Sequence, residues 1–215
     1  MKVNNKGFSL VELLVSFAIL GLISTMILGI AVSGTNMFNS NKKVLGLQYK
    51  SQVASAQIHN YLQNCDAGVA STGDSLWLAE SDGEAAGRVY CFTKEDDGTV
   101  NLREFNISVV EEGGEMKTKA TYEKESGGTE TVEVESLTDS ACLAQPLCSG
   151  VSEWDIDVGA DDGSAKYISL KLTFEQEGST YTKNMAESFR NRPRYVSEIA
   201  DGSTMTISLI KSIWG

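Results

Sequence analysis

The sequence is poor in proline and histidine: Pro146, Pro193 and His59 are all it has of either. With no proline before Pro146, nothing of that kind breaks a long helix in the N-terminal third. A single histidine leaves His-dependent nucleophile chemistry only one centre. No Gly-rich phosphate loop, GxSxG or HExxH occurs. Cations are also scarce, 18 Lys and Arg against 29 Asp and Glu, for a net charge of -11 and a pI near 4.6. Such a surface repels phosphate backbones and anionic headgroups, so neither nucleic-acid binding nor docking of the bulk of the chain to anionic lipid is expected. The four cysteines form no paired CxxC step, which makes a zinc site a weak alternative. These absences leave no catalytic constellation, cofactor site or metal set, and the chain reads as a non-enzyme.

Asp155, Asp157, Asp161 and Asp162 lie close together. Calcium takes converging oxygens, but the loop glycine and distant bidentate glutamate of an EF-hand are missing. A polar hairpin tip is the better account. Arg190, Arg192 and Arg194 surround Asn191 and Pro193. Three arginines in so acidic a chain read as a solvated loop with local salt bridges rather than a DNA contact.

Long apolar runs are missing too, except in the first 35 residues. Met1 to Gly7 is polar and basic, with Lys2 and Lys6. Phe8 to Val32 then holds 25 residues and a single charge, Glu12. As a helix this run is about 37 Å long at ~1.5 Å per residue, enough to cross a bilayer core of roughly 30 Å. The basic leader would stay cytoplasmic and the bulk of the chain outside. A cleavable signal peptide has a shorter apolar region ending in a small-residue site. A plain membrane anchor fits the length. Neither explains Glu12, and a charge in an apolar helix is expensive unless it has a partner.

Lys6-Gly7-Phe8-Ser9-Leu10-Val11-Glu12 resembles the cleavage and methylation motif of type IV prepilins and pseudopilins. The resemblance is close over about the first 35 residues. It implies a membrane peptidase that cuts after Gly7 and methylates the new amino terminus of Phe8. It also implies that Glu12, then the fifth residue, pairs with the amino group of an adjacent subunit. Two charges stranded in an apolar bundle neutralise each other only in the right register, so the pair acts as a register device. Partners implied are other pilin subunits, the prepilin peptidase and methyltransferase, the assembly platform and the membrane. Before assembly the chain would be a single-pass protein of the cytoplasmic membrane. Gly21, Thr25, Gly29 and Ser33 recur every four residues, a spacing that lets helices approach closely and is also open to chance. Major pilins often have proline where this chain has Gly29.

From Met37 the pattern stays helical but becomes amphipathic, with Phe38, Leu45, Tyr49, Val53, Ala56, Tyr61 and Leu62 at helical steps among Lys42, Lys43 and Lys50. One helix from about Phe8 to about Leu62 is predicted, its second half supporting the head. His59, late in this helix, reads as a packing residue. Beyond Cys65, short β-rich runs alternate with Gly/Asp turns: Arg88 to Thr93, Val100 to Val110, Met116 to Tyr122, Glu130 to Glu135, Val151 to Val158, Tyr167 to Phe174 and Tyr181 to Phe189. Met205 to Trp214 reads as a closing strand. The expected fold is α+β, a pilin-like lollipop: leader 1–7, membrane or filament-core helix 8–32, amphipathic half 33–64, and an acidic head 65–215 with an antiparallel sheet against the helix. The four cysteines allow two disulfides in an exported chain. Cys142 with Cys148 would staple a short loop, and Cys65 with Cys91 would tie stem to head.

The head size, Trp154-x-Ile156-x-Val158, Ile168-x-Leu170-x-Leu172 and Ser188 to Asn191 resemble PilW-like minor pilins and the J component of type II secretion. Glu12 argues against the tip subunit of secretion pseudopili, which characteristically lacks that acid. A function of another class stays open: a membrane-anchored or secreted binding protein outside any filament.

Overall fold

A computed structural model describes residues 9–197 and 204–215. The leader, Gly7 and Phe8 lie outside the described residues. The chain divides into two compact units, Met1–Leu45 and Gly46–Gly215.

The first unit is helical. From Leu10 onward its residues belong to α1 (Leu10–Asn64), which continues into the second unit. Leucine, isoleucine and alanine suit a helix, and no proline interrupts it. Hydroxyls inside the apolar run are satisfied locally: Ser16 donates to the Glu12 carbonyl at 2.7 Å, Ser24 to Leu20 at 2.8 Å and Thr25 to Leu22 at 2.8 Å. Such bonds lower the cost of placing these groups away from water. The large apolar side chains of this unit, from Leu10 to Phe38, are exposed.

The second unit holds the end of α1, eleven described strands and a C-terminal helix. The strands are β1 (Gly68–Thr72), β2 (Ser75–Ser81), β3 (Ala86–Lys94), β4 (Val100–Glu112), β5 (Glu115–Glu123), β6 (Thr129–Glu133), β7 (Gln145–Cys148), β8 (Val151–Asp161), β9 (Ser164–Gln176), β10 (Ser179–Ser188) and β11 (Arg194–Val196). They form one sheet, in the order β10-β9-β11-β1-β2-β3-β4-β5-β6, with β7 beside β4 and β8 beside β9. Pairing is antiparallel, except that β1 and β11 run parallel. An α+β fold, a long N-terminal helix followed by an antiparallel-rich sheet, is thus present.

Each face of the sheet has its own core. On one face Leu47, Ala54, Ile58 and Leu62 of α1 share a cluster with Leu76, Leu78, Tyr90, Phe92, Ile168, Leu170, Leu172 and Phe174. On the other, α2 (Met205–Trp214) brings Leu209, Ile210 and Trp214 against Trp77, Val89, Phe105 and Ala120. Strand β2 is buried on both sides and lacks the polar alternation that marks half-buried strands.

Three expectations are corrected. Met205–Trp214 is helix α2 and not a strand. Its residues alternate until Leu209-Ile210 breaks the period, and the extended Thr204 accepts the Ile207 N–H on its side chain at 3.3 Å, an N-cap that starts a helix. Second, α1 meets the sheet through Leu47, Ser51, Ala54, Ser55, Ile58 and Leu62. Tyr49 and Val53, in the stripe read as supporting the head, remain 69% and 38% exposed. The small side chains of Ser51, Ala54 and Ser55 let the helix come close to the sheet, which a face of large residues would prevent. Third, the four cysteines are free thiols. Cys65 and Cys148 belong to the α1 side of the sheet, Cys91 and Cys142 to the α2 side. Both expected pairs are therefore divided by the sheet. Burial pushes the Cys65 and Cys91 thiols up to about 12 and Cys148 up to about 11.

The turn between β8 and β9 has Asp162 and Gly163 at φ 51° and 72°. Two successive left-handed residues make the tight turn that matches strand twist. The aspartates there are a hairpin tip, with Asp161 paired to Lys166. Of the three arginines, Arg194 lies in β11 and donates to the Ser212 carbonyl, while Arg190 and Arg192 are exposed. His59 sits 3.0 Å from Glu187 of β10 and helps seat the helix on that strand.

Candidate functional site

The first turn of α1 concentrates the chemistry that the sequence singles out. Ser9-Leu10-Val11-Glu12 has the S-x-x-E spacing of a capping box. The Glu12 carboxylate accepts the Ser9 backbone N–H at 3.1 Å, and the Ser9 carbonyl accepts the Leu13 N–H at 3.1 Å. Glu12 thus satisfies one of the donors that every helix start leaves unpaired, and its charge lies at the positive end of the helix dipole. This half of a capping box escaped the sequence reading, though its signal was present in the serine three residues before the acid.

Around Glu12 the surface is apolar and uncovered, with Leu10 79%, Val11 68% and Leu13 51% exposed. Among the described residues, one Glu12 oxygen carries a hydrogen bond. No thiol, histidine or second carboxylate stands beside it in the helix from Leu10 to Asn36. Among the described residues the arrangement is one carboxylate in an apolar setting, where an unpaired charge is costly.

Farther along, Gly21, Thr25, Gly29 and Ser33 form a band that winds slowly, since four residues advance about 400°. A Cβ at Gly21 or Gly29 would meet nothing within 4 Å. The chain's own packing therefore does not require glycine at either position. Thr25 has turned its hydroxyl onto the helix backbone. Over this stretch α1 is long and apolar enough to cross a membrane.

Residues 2–34 match the family model of the prokaryotic N-terminal methylation motif. No curated protein matches the chain. No solved structure matches it either. The matched segment contains Gly7, Phe8 and Glu12 and ends one turn beyond Gly29. It marks the chain as a type IV pilin-like precursor, a class of structural protein that prepilin peptidase processes and that assembles with other pilins. Over this N-terminal segment the chain is similar to type IV prepilins and pseudopilins, and the match supports that family.

Proposed function

We propose that the chain is a structural subunit, a minor pilin or pseudopilin, of a type IV pilus-like filament. It is cut after Gly7 and methylated on Phe8. Before assembly, α1 holds it in the cytoplasmic membrane with residues 65–215 outside. It then passes through the assembly platform into a filament beside other pilins. The observation that carries this reading is Glu12. It is a lone acid in an uncovered apolar helix, four residues after the amine that cleavage would create. That amine on a neighbouring subunit is the cation the Glu12 carboxylate would receive. Mutual neutralisation is available only when two helices are in register, and so it selects one stagger over others. The small-residue band would let stems approach closely.

N-terminal mass analysis of the protein from its native membranes tests the reading. Methylated Phe8 supports it. An intact Met1, or cleavage near Gly34, supports instead a membrane-anchored or secreted binding protein. Gly7→Val should leave the leader attached. Glu12→Ala should still be cleaved but should be depleted from sheared filaments. Normal filament entry by the Glu12→Ala chain would end the pairing argument.

A further inference from the structure

A cavity of about 300 Å³ opens in the second unit between the end of α1 and β7. Gln57, Asn60 and Tyr61 line one side of it, at the i, i+3 and i+4 positions that share a helix face. Gln145, Pro146 and Leu147 of β7 line the other side, and Leu102 of β4, which pairs with Gln145, completes it. The Tyr61 ring is held against Tyr90 and Phe92, with centroids 4.6 and 5.4 Å away, so the core fixes this wall. Gln57, Asn60 and Gln145 are exposed, and their side-chain amides make no hydrogen bond among the described residues. The Tyr61 hydroxyl makes none there either. Three amides and a phenol are therefore placed on a helix and a paired strand with their hydrogen-bonding capacity unspent on the fold.

Charge narrows what would occupy the cavity. Residues 65–215 contain 28 of the 29 acids and 13 of the 18 Lys and Arg. Yet no lining residue is charged. An anion would find no cation there and would meet acidic surroundings, while a cation would find no carboxylate to replace its water. Burial, and then the Glu104 charge, hold the Tyr61 pKa above 10.0, so its hydroxyl remains a donor. Amides and a phenol both donate and accept, and here they alternate with a ring and aliphatic side chains. Their complement is neutral, rich in groups that also donate and accept, and apolar on one face. A pyranose ring has these properties, and the volume lies at the low end for small-molecule sites, which suits a single ring. An extended peptide is the other neutral chain of donors and acceptors. Its seat would be the edge of β7, which pairs with β4 alone among the described strands. Pro146 on that edge has no N–H and blunts strand addition.

We propose that the cavity between α1 and β7 binds a neutral hexopyranose unit of a glycan. Gln57, Asn60 and Gln145 hydrogen-bond its hydroxyls, and Tyr61 and Leu147 cover its apolar face. The inference goes beyond the filament reading and does not depend on it. The cavity lies wholly within Gly46–Gly215, so a filament subunit and a free-standing binding protein would carry it alike.

The test uses the full-length chain in lipid nanodiscs, without glycoside detergents. It is applied to immobilised neutral, sialylated and sulfated oligosaccharides and to a peptide library, and the neutral oligosaccharide retained most strongly is then titrated. Binding is expected among the neutral oligosaccharides, with an affinity that salt leaves unchanged because no charge is screened. Gln57→Ala, Asn60→Ala and Gln145→Ala should each weaken it about threefold to tenfold, the effect of one hydrogen bond. Gln176→Ala, an exposed amide outside the cavity, should leave it unchanged. Circular dichroism on heating should match the parent for all four variants. Retention of no neutral oligosaccharide, retention of the anionic ones alone, or retention of peptides alone would overturn the proposal. So would neutral binding that the three cavity variants do not weaken. The measurement needs neither leader cleavage nor a filament, so its failure leaves the filament reading standing, and an intact Met1 on the native protein would defeat that reading alone.

Discussion

Asp139 carries the clearest pH dependence at the scale of single residues. Its carboxylate accepts the Thr206 hydroxyl at 2.8 Å, and that hydroxyl in turn accepts Trp77 Nε1–H at 2.9 Å. Burial raises the Asp139 pKa above the ordinary 3.8, only partly offset by the Thr206 bond and Arg103. A carboxyl with a raised folded pKa binds its proton more tightly in the native state. Its contribution to stability is fully present below 3.8 and is lost as pH rises through the folded pKa. Asp139→Asn keeps an acceptor for Thr206 and removes the buried charge. Urea unfolding should therefore find the variant more stable at pH 7, with the difference shrinking toward pH 4. An equal difference at both pH values would refute this account. Gly87 has a different constraint. A Cβ there would stand 2.3 Å from the Trp214 ring and 2.4 Å from the Glu80 carbonyl oxygen. Both neighbours are fixed, one in a core and one in the adjoining strand, so Gly87→Ala should cost about 1–3 kcal/mol in denaturant midpoint analysis. Gly159→Ala should cost less, because the Tyr167 ring it would strike is 47% exposed and free to turn away.

The two helices pack at the element scale by different means. Small side chains in the middle of the contact bring α1 close to the sheet, and His59 with Glu187 adds a polar contact at the edge of it. Helix α2 is short and apolar, and its seat on the opposite face includes the Trp77–Thr206–Asp139 chain. Thr206→Val preserves shape but leaves an indole N–H and a carboxylate buried without their partner. It should destabilise by about 1–3 kcal/mol. Loss of near-ultraviolet tryptophan signal at lower denaturant than in the parent would report the undocking. An unchanged transition would mean that apolar burial alone holds α2. The helix was unreadable as such because Met205 to Leu209 alternates apolar and hydroxyl residues, which also suits a strand. What decides is the Thr204 cap and the covered surface awaiting Ile210 and Trp214, neither visible as a pattern.

For the whole molecule, the division at Leu45 and Gly46 has a direct consequence. Residues 46–215 contain both cores, every described strand, α2 and the part of α1 that packs on the sheet. That fragment should be soluble without detergent and should unfold in one cooperative step, as followed by circular dichroism during heating. Aggregation, or a gradual transition, would show that the preceding helix is needed for the fold. The membrane-length helix, its single acid, the acidic head and most of the strand positions were legible from residue order, because each depends on neighbours along the chain. The cysteine expectation failed for the complementary reason: separation in sequence says nothing about which side of a sheet a thiol occupies.

The sequence by itself determined the methylation-motif segment, a helix long and apolar enough to cross a membrane that carries Glu12, and a β-rich acidic domain after it. These follow from local composition, hydrophobic run length and turn chemistry. Only the tertiary structure decided that Met205–Trp214 is helical, that the thiols are split between two cores, and that Tyr49 and Val53 face away from their own sheet. A helix with apolar residues on several sides can pack through any of them. Which side is buried depends on how closely the sheet approaches, and small residues distant from the conspicuous apolar stripe set that distance.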